Sequence, residues 1–120
     1  MPTVADLDPQ QQAAMKRAAE IGAEVGPPPA DPVAARAHQE AVRVWWNEGG
    51  PTMADQRDLT IPGPFRPVPA RLYKPADAND LPVLVYAHGG GFGIGGPTTN
   101  DRQLREIAAK WGGAVLSTDY

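Results

Sequence analysis

The sequence contains no cysteine and a single serine, Ser117. The first absence removes disulfide scaffolds, thiolate zinc sites and cysteine nucleophiles together. The second leaves one hydroxyl of that kind, set in the apolar run Leu116-Ser117-Thr118 with no G-x-S-x-G elbow around it. Eleven basic residues form no block and are outnumbered by fourteen acidic ones, for a net charge of −3. The electrostatic footprint of a nucleic-acid binder is therefore missing. No apolar stretch approaches the roughly 20 residues of a membrane span. Met1-Pro2-Thr3-Val4-Ala5-Asp6 has neither the basic nor the apolar region of a leader, so a cytoplasmic location is expected. Histidine occurs only at His38 and His88. No cluster of His, Asp and Glu has metal-ligand spacing, so no metal and no cofactor is implied.

Proline and glycine, fourteen and thirteen residues, exceed average usage and punctuate the chain. Asp8-Pro9-Gln10-Gln11 reads as a helix start with an acidic cap, a proline in the first turn and a glutamine at N3. This helix runs to about Val25, where Gly26-Pro27-Pro28-Pro29 stops it. Asp31-Pro32 repeats the signal. Val33, Ala34, Ala37, Ala41, Val44 and Trp45 then recur at helical spacing until Gly49-Gly50-Pro51. From residue 53 to 61 and from 68 to 73 the pattern is that of two strands joined through Pro62-Gly63-Pro64, a hairpin. Residues 75–81 form a polar loop. Pro82-Val83-Leu84-Val85-Tyr86-Ala87 is a continuous apolar run, which predicts a strand buried on both faces. A third helix is expected from a cap at Thr98 or Thr99 to about Trp111, with Leu104, Ile107, Ala108 and Trp111 on one face and Gly112-Gly113 at its end. The segment from Ala114 to Tyr120 closes a βαβ unit whose two strands should be parallel.

Between the apolar strand and that helix lies His88-Gly89-Gly90-Gly91-Phe92-Gly93-Ile94-Gly95-Gly96. Glycines directly after a strand let backbone N–H groups approach a ligand closely, and such groups hold either a phosphate or a developing oxyanion. Gly91 to Gly96 matches the dinucleotide fingerprint G-x-G-x-x-G, with Asp119 ending the next strand where a ribose-binding acid would sit. Three details weigh against that reading. His88-Gly89-Gly90 separates the fingerprint from the strand end. Pro97 falls where a backbone donor is wanted. A hairpin behind two helices is also an odd prelude to a dinucleotide fold. The other reading is the His-Gly-Gly-Gly loop of lipases and esterases, whose N–H groups help to build an oxyanion hole.

These residues carry a family resemblance. The chain resembles the N-terminal part of a hormone-sensitive-lipase-family α/β-hydrolase, a carboxylesterase of the "alpha/beta hydrolase fold-3" type. The resemblance covers essentially the whole chain. Its features are Asp8-Pro9 in the cap, Thr60-Ile61-Pro62-Gly63 and Val68-Pro69-Ala70-Arg71-Leu72-Tyr73-Lys74-Pro75 in the hairpin, His88 to Phe92, Asp101, and Gly113-Ala114-Val115 through Asp119-Tyr120. In the family the Asp-Tyr pair continues as Arg-Leu-Ala-Pro-Glu, and this chain ends at the tyrosine. The resemblance implies an α/β fold in which cap helices (1–50) precede the first strands of the hydrolase sheet (51–120), truncated before the nucleophile elbow. It also implies that the last strand lies between the Val68–Tyr73 and Val83–Ala87 strands. Gly90 and Gly91 would supply oxyanion N–H groups, Gly89 would permit the turn, and His88 would hold the loop through side-chain hydrogen bonds without acting as the catalytic base.

The family's serine, acid and histidine all lie downstream of Asp-Tyr, so this chain alone is expected to be inactive. Asp119 reads as a strand-end acid that fixes local structure, His38 as solvated or half-buried, and Phe92 as packed beneath the loop. Trp45 and Trp46 read as core packing rather than as walls of an acyl pocket. The expected function of the intact protein is hydrolysis of short or medium acyl carboxylic esters through a serine acyl-enzyme. Its partner would be a small-molecule ester, and a homo-oligomer is left open. The alternatives are a dinucleotide-binding module using Gly91–Gly96 and a truncated, non-catalytic product.

Overall fold

The computed structural model describes residues 3–120; Met1 and Pro2, at the head of the segment read above as lacking a leader, lie outside the described residues. The chain forms two compact units, Met1–Val42 and Arg43–Tyr120. Among the described residues no helix is long and apolar enough to cross a membrane.

The first unit holds α1 (Pro9–Val25) and α2 (Pro32–Arg43, its last residue already in the second unit). The Asp8 carboxylate accepts the Gln10 N–H at 2.8 Å, and Pro9 occupies the first turn, where no N–H is needed. Gln12, rather than Gln11, is the side chain that turns back, donating to the Leu7 carbonyl at 2.8 Å. Gly26 ends α1 at φ +83°, a conformation that favours glycine. Asp31 caps α2 by accepting the Ala34 N–H at 2.8 Å. His38 is half-buried, as expected, and meets the Gly26 carbonyl at 2.8 Å. The expected apolar stripe of α2 is open to solvent: Val33 is exposed, and so are Ala34, Ala37 and Ala41.

The second unit begins with a correction. A single helix to Gly49 was expected, but α2 stops at Arg43 and tightens into a 3₁₀ turn over Val44–Asn47. Such tightening satisfies terminal carbonyls through shorter-range bonds, here with the Glu48 N–H donating to Trp45 O at 3.3 Å. Four strands follow: β1 (Asp55–Ile61), β2 (Val68–Lys74), β3 (Val83–Ala87) and β4 (Ala114–Thr118), in the order β1-β2-β4-β3. The hairpin β1–β2 is antiparallel from Asp55↔Lys74 to Ile61↔Val68. β2 and β4 pair antiparallel, whereas β3 and β4 pair parallel, from Val83↔Ala114 to Ala87↔Thr118. Helix α3 (Asp101–Trp111) is the crossover between them. Both the parallel βαβ unit and the central place of β4 agree with expectation.

The core follows from register and helical spacing. Tyr73 and Val115 face each other across β2 and β4, and Leu104 and Ala108, one turn apart on α3, cover them. All four are fully buried, with Met53, Tyr86 and Ile107 packed at the margin. Gly112 closes α3 in the left-handed conformation, φ +78°, its N–H donating to Ala108 O at 2.9 Å. Trp111, expected on the apolar face, is 46% exposed. A second correction concerns β3. Its apolar run predicted burial on both faces, yet Val83, Leu84 and Val85 are exposed. β3 is an edge strand of the sheet, and α3 packs on the face that carries Tyr73 and Val115. The run therefore has neither an outer neighbour nor a cover on its far side among the described residues.

Candidate functional site

The parallel pair β3–β4 sends both strands out at the same edge of the sheet, which places His88–Gly96 beside Asp119 and Tyr120. Crevices at the carboxyl ends of parallel strands are where α/β folds bind ligands. His88 is 5% exposed. Its Nδ1 lies 2.9 Å from the carbonyl of Gly89, which can only accept, so Nδ1 carries the proton. Nε2 is buried without a hydrogen-bond partner among the described residues, and the Asp119 carboxylate stands 3.8 Å from it. The imidazole stacks on the Tyr120 ring at 4.7 Å and 24°, and the Tyr120 hydroxyl donates to the His88 carbonyl. Asp119 is itself held through its backbone: its N–H donates to Pro69 O at 2.8 Å, and Arg66 donates to its carbonyl at 3.0 Å.

From Gly89 the chain turns sharply. Gly90 has φ +140°, Gly91 +59° and Phe92 +62°, and the Gly90 carbonyl accepts the N–H groups of both Gly93 and Ile94 at 3.1 Å. A Cβ on Gly90 would lie 2.0 Å from Ile94 O, so only glycine fits there. Gly95, at φ +91°, presses its backbone against the loop's start, where a Cβ would come within 2.6 Å of His88 Nδ1 and 2.8 Å of Gly89 O. Among the described residues the N–H groups of Gly90 and Gly91 have no backbone acceptor. Successive backbone N–H groups that a turn does not itself bond can hold an anionic oxygen.

Phe92 corrects the expectation that it packs under the loop: it is 93% exposed, with only its edge against Tyr120 at 5.5 Å. It stands in the turn itself, at a left-handed φ of +62° that is uncommon for a bulky side chain. Trp45 and Trp46 correct a second expectation. They meet edge to face at 5.1 Å and 86°, but Trp46 is 47% exposed, beside an open groove that Arg102 and Glu106 also line. No residue of the glycine loop lines that groove. Ser117 is fully buried in β4, its Oγ without a partner among the described residues, and is no exposed nucleophile.

The far end of the loop is anchored by polar side chains, among them Thr99, read in the sequence as a helix cap, and Asp101, named there only as a feature of the resemblance. α3 begins at Asp101, five residues beyond Gly96, and is flanked by Asn100 rather than by the expected Thr98 or Thr99. Thr99 instead accepts the Gly96 N–H through its hydroxyl at 2.7 Å. This gap between the glycines and the helix also departs from a dinucleotide fingerprint, in which the glycine loop opens directly into the helix. Asp101 is a hub: Tyr73 donates to it at 2.8 Å, Arg105 at 2.9 Å and Gln56 at 3.2 Å, with Arg71 at 3.5 Å. Arg71 also grips Asp58, its cross-strand partner in the hairpin, through two bonds of 2.6 and 2.9 Å. Those bonds raise the Arg71 pKa and hold the Asp58 carboxyl below its usual range. Burial, reinforced by the bond to Asp101, raises the pKa of the Tyr73 phenol. No group of three or more His, Cys, Asp or Glu among the described residues could hold a metal ion.

A glycine turn at the carboxyl end of β3, a mixed sheet and a crossover helix define the opening of an α/β-hydrolase sheet. The family described as alpha/beta hydrolase fold matches residues 84–120, and the chain belongs to it, corresponding to the N-terminal part of its members. Among curated relatives it is similar to the carboxylic ester hydrolase LipN of Mycobacterium tuberculosis, with 40% identity over 75% of this chain and 24% of that protein. It is similar as well to the acetyl esterase of Salmonella schwarzengrund, with 38% identity over 65% of this chain and 24% of the relative. Among solved structures, the hyperthermophilic esterase from the archaeon Pyrobaculum calidifontis superimposes with a TM-score of 0.70 at 36% identity, over 76% of this chain and 30% of that one. The chain thus spans about a quarter of the length of these curated relatives.

Proposed function

We propose that the chain is the cap-and-oxyanion part of a serine carboxylesterase of the hormone-sensitive-lipase type, acting on short or medium acyl esters. In this reading a carbonyl oxygen rests on the Gly90 and Gly91 N–H groups. As a serine hydroxyl adds to the ester carbon, the charge that forms on that oxygen is stabilised by donors already in place. Collapse of the tetrahedral intermediate expels the alcohol, which takes up the serine proton by way of the base, and water then releases the acid. The nucleophile, base and acid come from sequence beyond Tyr120. His88 keeps the loop in shape and moves no proton in the reaction; Gly89, expected to permit the turn, has room for a Cβ and takes part through its carbonyl, which meets the His88 ring.

The observation that supports the reading is the pair of N–H groups at Gly90 and Gly91, which have no backbone acceptor among the described residues, in a turn whose Gly90 carbonyl is already bonded. The names of the similar proteins, esterases all, support the same class of reaction. Gly90→Pro in the intact enzyme is the test, since proline removes an N–H and cannot adopt φ +140°. The expected loss is on the order of 10²–10³ in kcat or more, with the fold retained by circular dichroism. A folded variant with parental kcat would show that these N–H groups do not face the reacting oxygen. The 120-residue chain by itself is expected to leave p-nitrophenyl acetate and butyrate unhydrolysed.

A further inference from the structure

Helix α3 starts without help from its own flanking residue. Asn100 makes no side-chain bond to the first turn; its amide donates instead to the Tyr86 hydroxyl at 2.7 Å. The N–H of Arg102, in that first turn, is accepted at 3.2 Å by the side-chain oxygen of Asn47, which is distant in sequence. The same amide donates from Nδ2 to Thr98 O at 3.1 Å and to Thr99 O at 3.3 Å. It can sit only one way round. Flipped, it would set an oxygen against two carbonyls and an NH₂ against an N–H.

We infer that Asn47 is a positioning residue for the oxyanion loop, tethering its trailing segment while serving as the surrogate cap of α3. The inference rests on the reading of His88–Gly96 as that loop. The path is short and polar. Asn47 holds the carbonyls of Thr98 and Thr99, the Thr99 hydroxyl holds the Gly96 N–H at 2.7 Å, and Gly95 lies hard against Gly89 and His88. Asn47 is itself fixed, because Arg105 donates to its carbonyl at 3.1 Å while bonded to Asp101 at 2.9 Å and to Pro51 O at 2.8 Å. The bend of the chain at Val44–Asn47 is what delivers the amide to this place. Its two functions separate chemically: the cap needs an acceptor, whereas the tether needs a donor.

Asn47→Asp in the intact enzyme uses that separation. The carboxylate still accepts the Arg102 N–H and suits a helix N-terminus, but it has no proton for Thr98 and Thr99. Its second oxygen then faces the Thr98 and Thr99 carbonyls, so some fall in melting temperature is expected, smaller than that of Asn47→Ala. Measured well below the melt, where the variant is fully folded, kcat should fall by about tenfold or more with KM little changed, because small misplacement of catalytic donors is costly. Asn47→Ala, which loses both functions, should lower the melting temperature and kcat together. Fully folded Asn47→Asp with parental kcat would overturn the inference, as would a fall in kcat that merely follows a fall in stability. Gly90→Pro measured alongside separates the two claims. If that variant is inactive while Asn47→Asp is fully active, the tether fails and the oxyanion reading stands; if Gly90→Pro is active, the oxyanion reading falls first.

Discussion

At the scale of single residues the second unit is governed by a few buried polar groups whose partners come from distant parts of the chain. Tyr73 is the clearest. It is fully buried in the core, yet its hydroxyl reaches Asp101 at 2.8 Å and Pro97 O at 3.4 Å. Tyr73→Phe keeps the ring and removes the donor, leaving an ionised carboxylate one partner short. A loss of about 1.5–3 kcal/mol is expected for a hydrogen bond to a charged group, read from urea unfolding of the intact enzyme at neutral pH. The pH dependence has a definite sign. Burial raises the phenol's pKa in the folded state, so its contribution is fully present below the unfolded value of about 10 and is lost as pH rises through the folded value. The gap between parent and Tyr73→Phe should therefore narrow as pH climbs above about 10. A constant gap across that window would mean that the hydroxyl carries no such linkage.

At the scale of elements the glycine loop is a closed turn rather than a flexible tether. Gly95 is where its two ends meet, with the His88 ring and the Gly89 carbonyl both inside the space that a methyl group would need. Gly95→Ala forces one of them to move, and φ +91° strains the new residue as well. We expect the variant enzyme to fold but to lose activity by about tenfold or more, since the displaced backbone leads directly into Gly90 and Gly91. Gly89→Ala makes the control, because a Cβ there meets nothing within 4 Å. Equal activity of the two variants would show that the close approach at Gly95 does not shape the loop. The capping signals were legible along the chain at Asp8 and Asp31, where carboxylate, proline and helix lie within a few residues. The cap of α3 was not, because its acceptor comes from Asn47, and no local pattern announces a cap delivered by another segment.

At the scale of the molecule the sheet ends on an apolar edge. β3 pairs only with β4 among the described residues, and Val83 and Val85 are 55% and 65% exposed. An unpaired strand of that composition is a template for further strand addition. The 120-residue polypeptide produced by itself is expected to self-associate or to remain partly molten, without a sharp thermal transition. Each large aliphatic side chain left in water forgoes roughly 1.5–3 kcal/mol, a large share of a domain's margin of about 5–15 kcal/mol. Val85→Lys, which places a charge on the edge strand, should shift the material toward monomer in size-exclusion chromatography. A parent chain that runs as a monomer with a cooperative melt would show that the edge is not the liability described.

The sequence by itself determined what depends on neighbours along the chain. The caps at Asp8 and Asp31, the helix stops at Gly26 and Gly112, the hairpin, the parallel βαβ unit and the glycine signature all lie in runs of a few residues whose backbone preferences agree with one another. The resemblance carried by that signature also foretold the place of β4 between β2 and β3. Tertiary structure decided what depends on the far side of a contact. The apolar run of β3 reads as doubly buried, but burial requires a neighbour, and none of the described elements supplies one on its outer edge. Phe92 reads as core, but it stands in the left-handed turn at residues 90–92 and its side chain is 93% exposed. Asn47 reads as an unremarked polar residue after two tryptophans, and only the bend at Val44 brings its amide to the start of α3. Local propensity fixes which elements form; which side chains they hold in place is settled only when the elements meet.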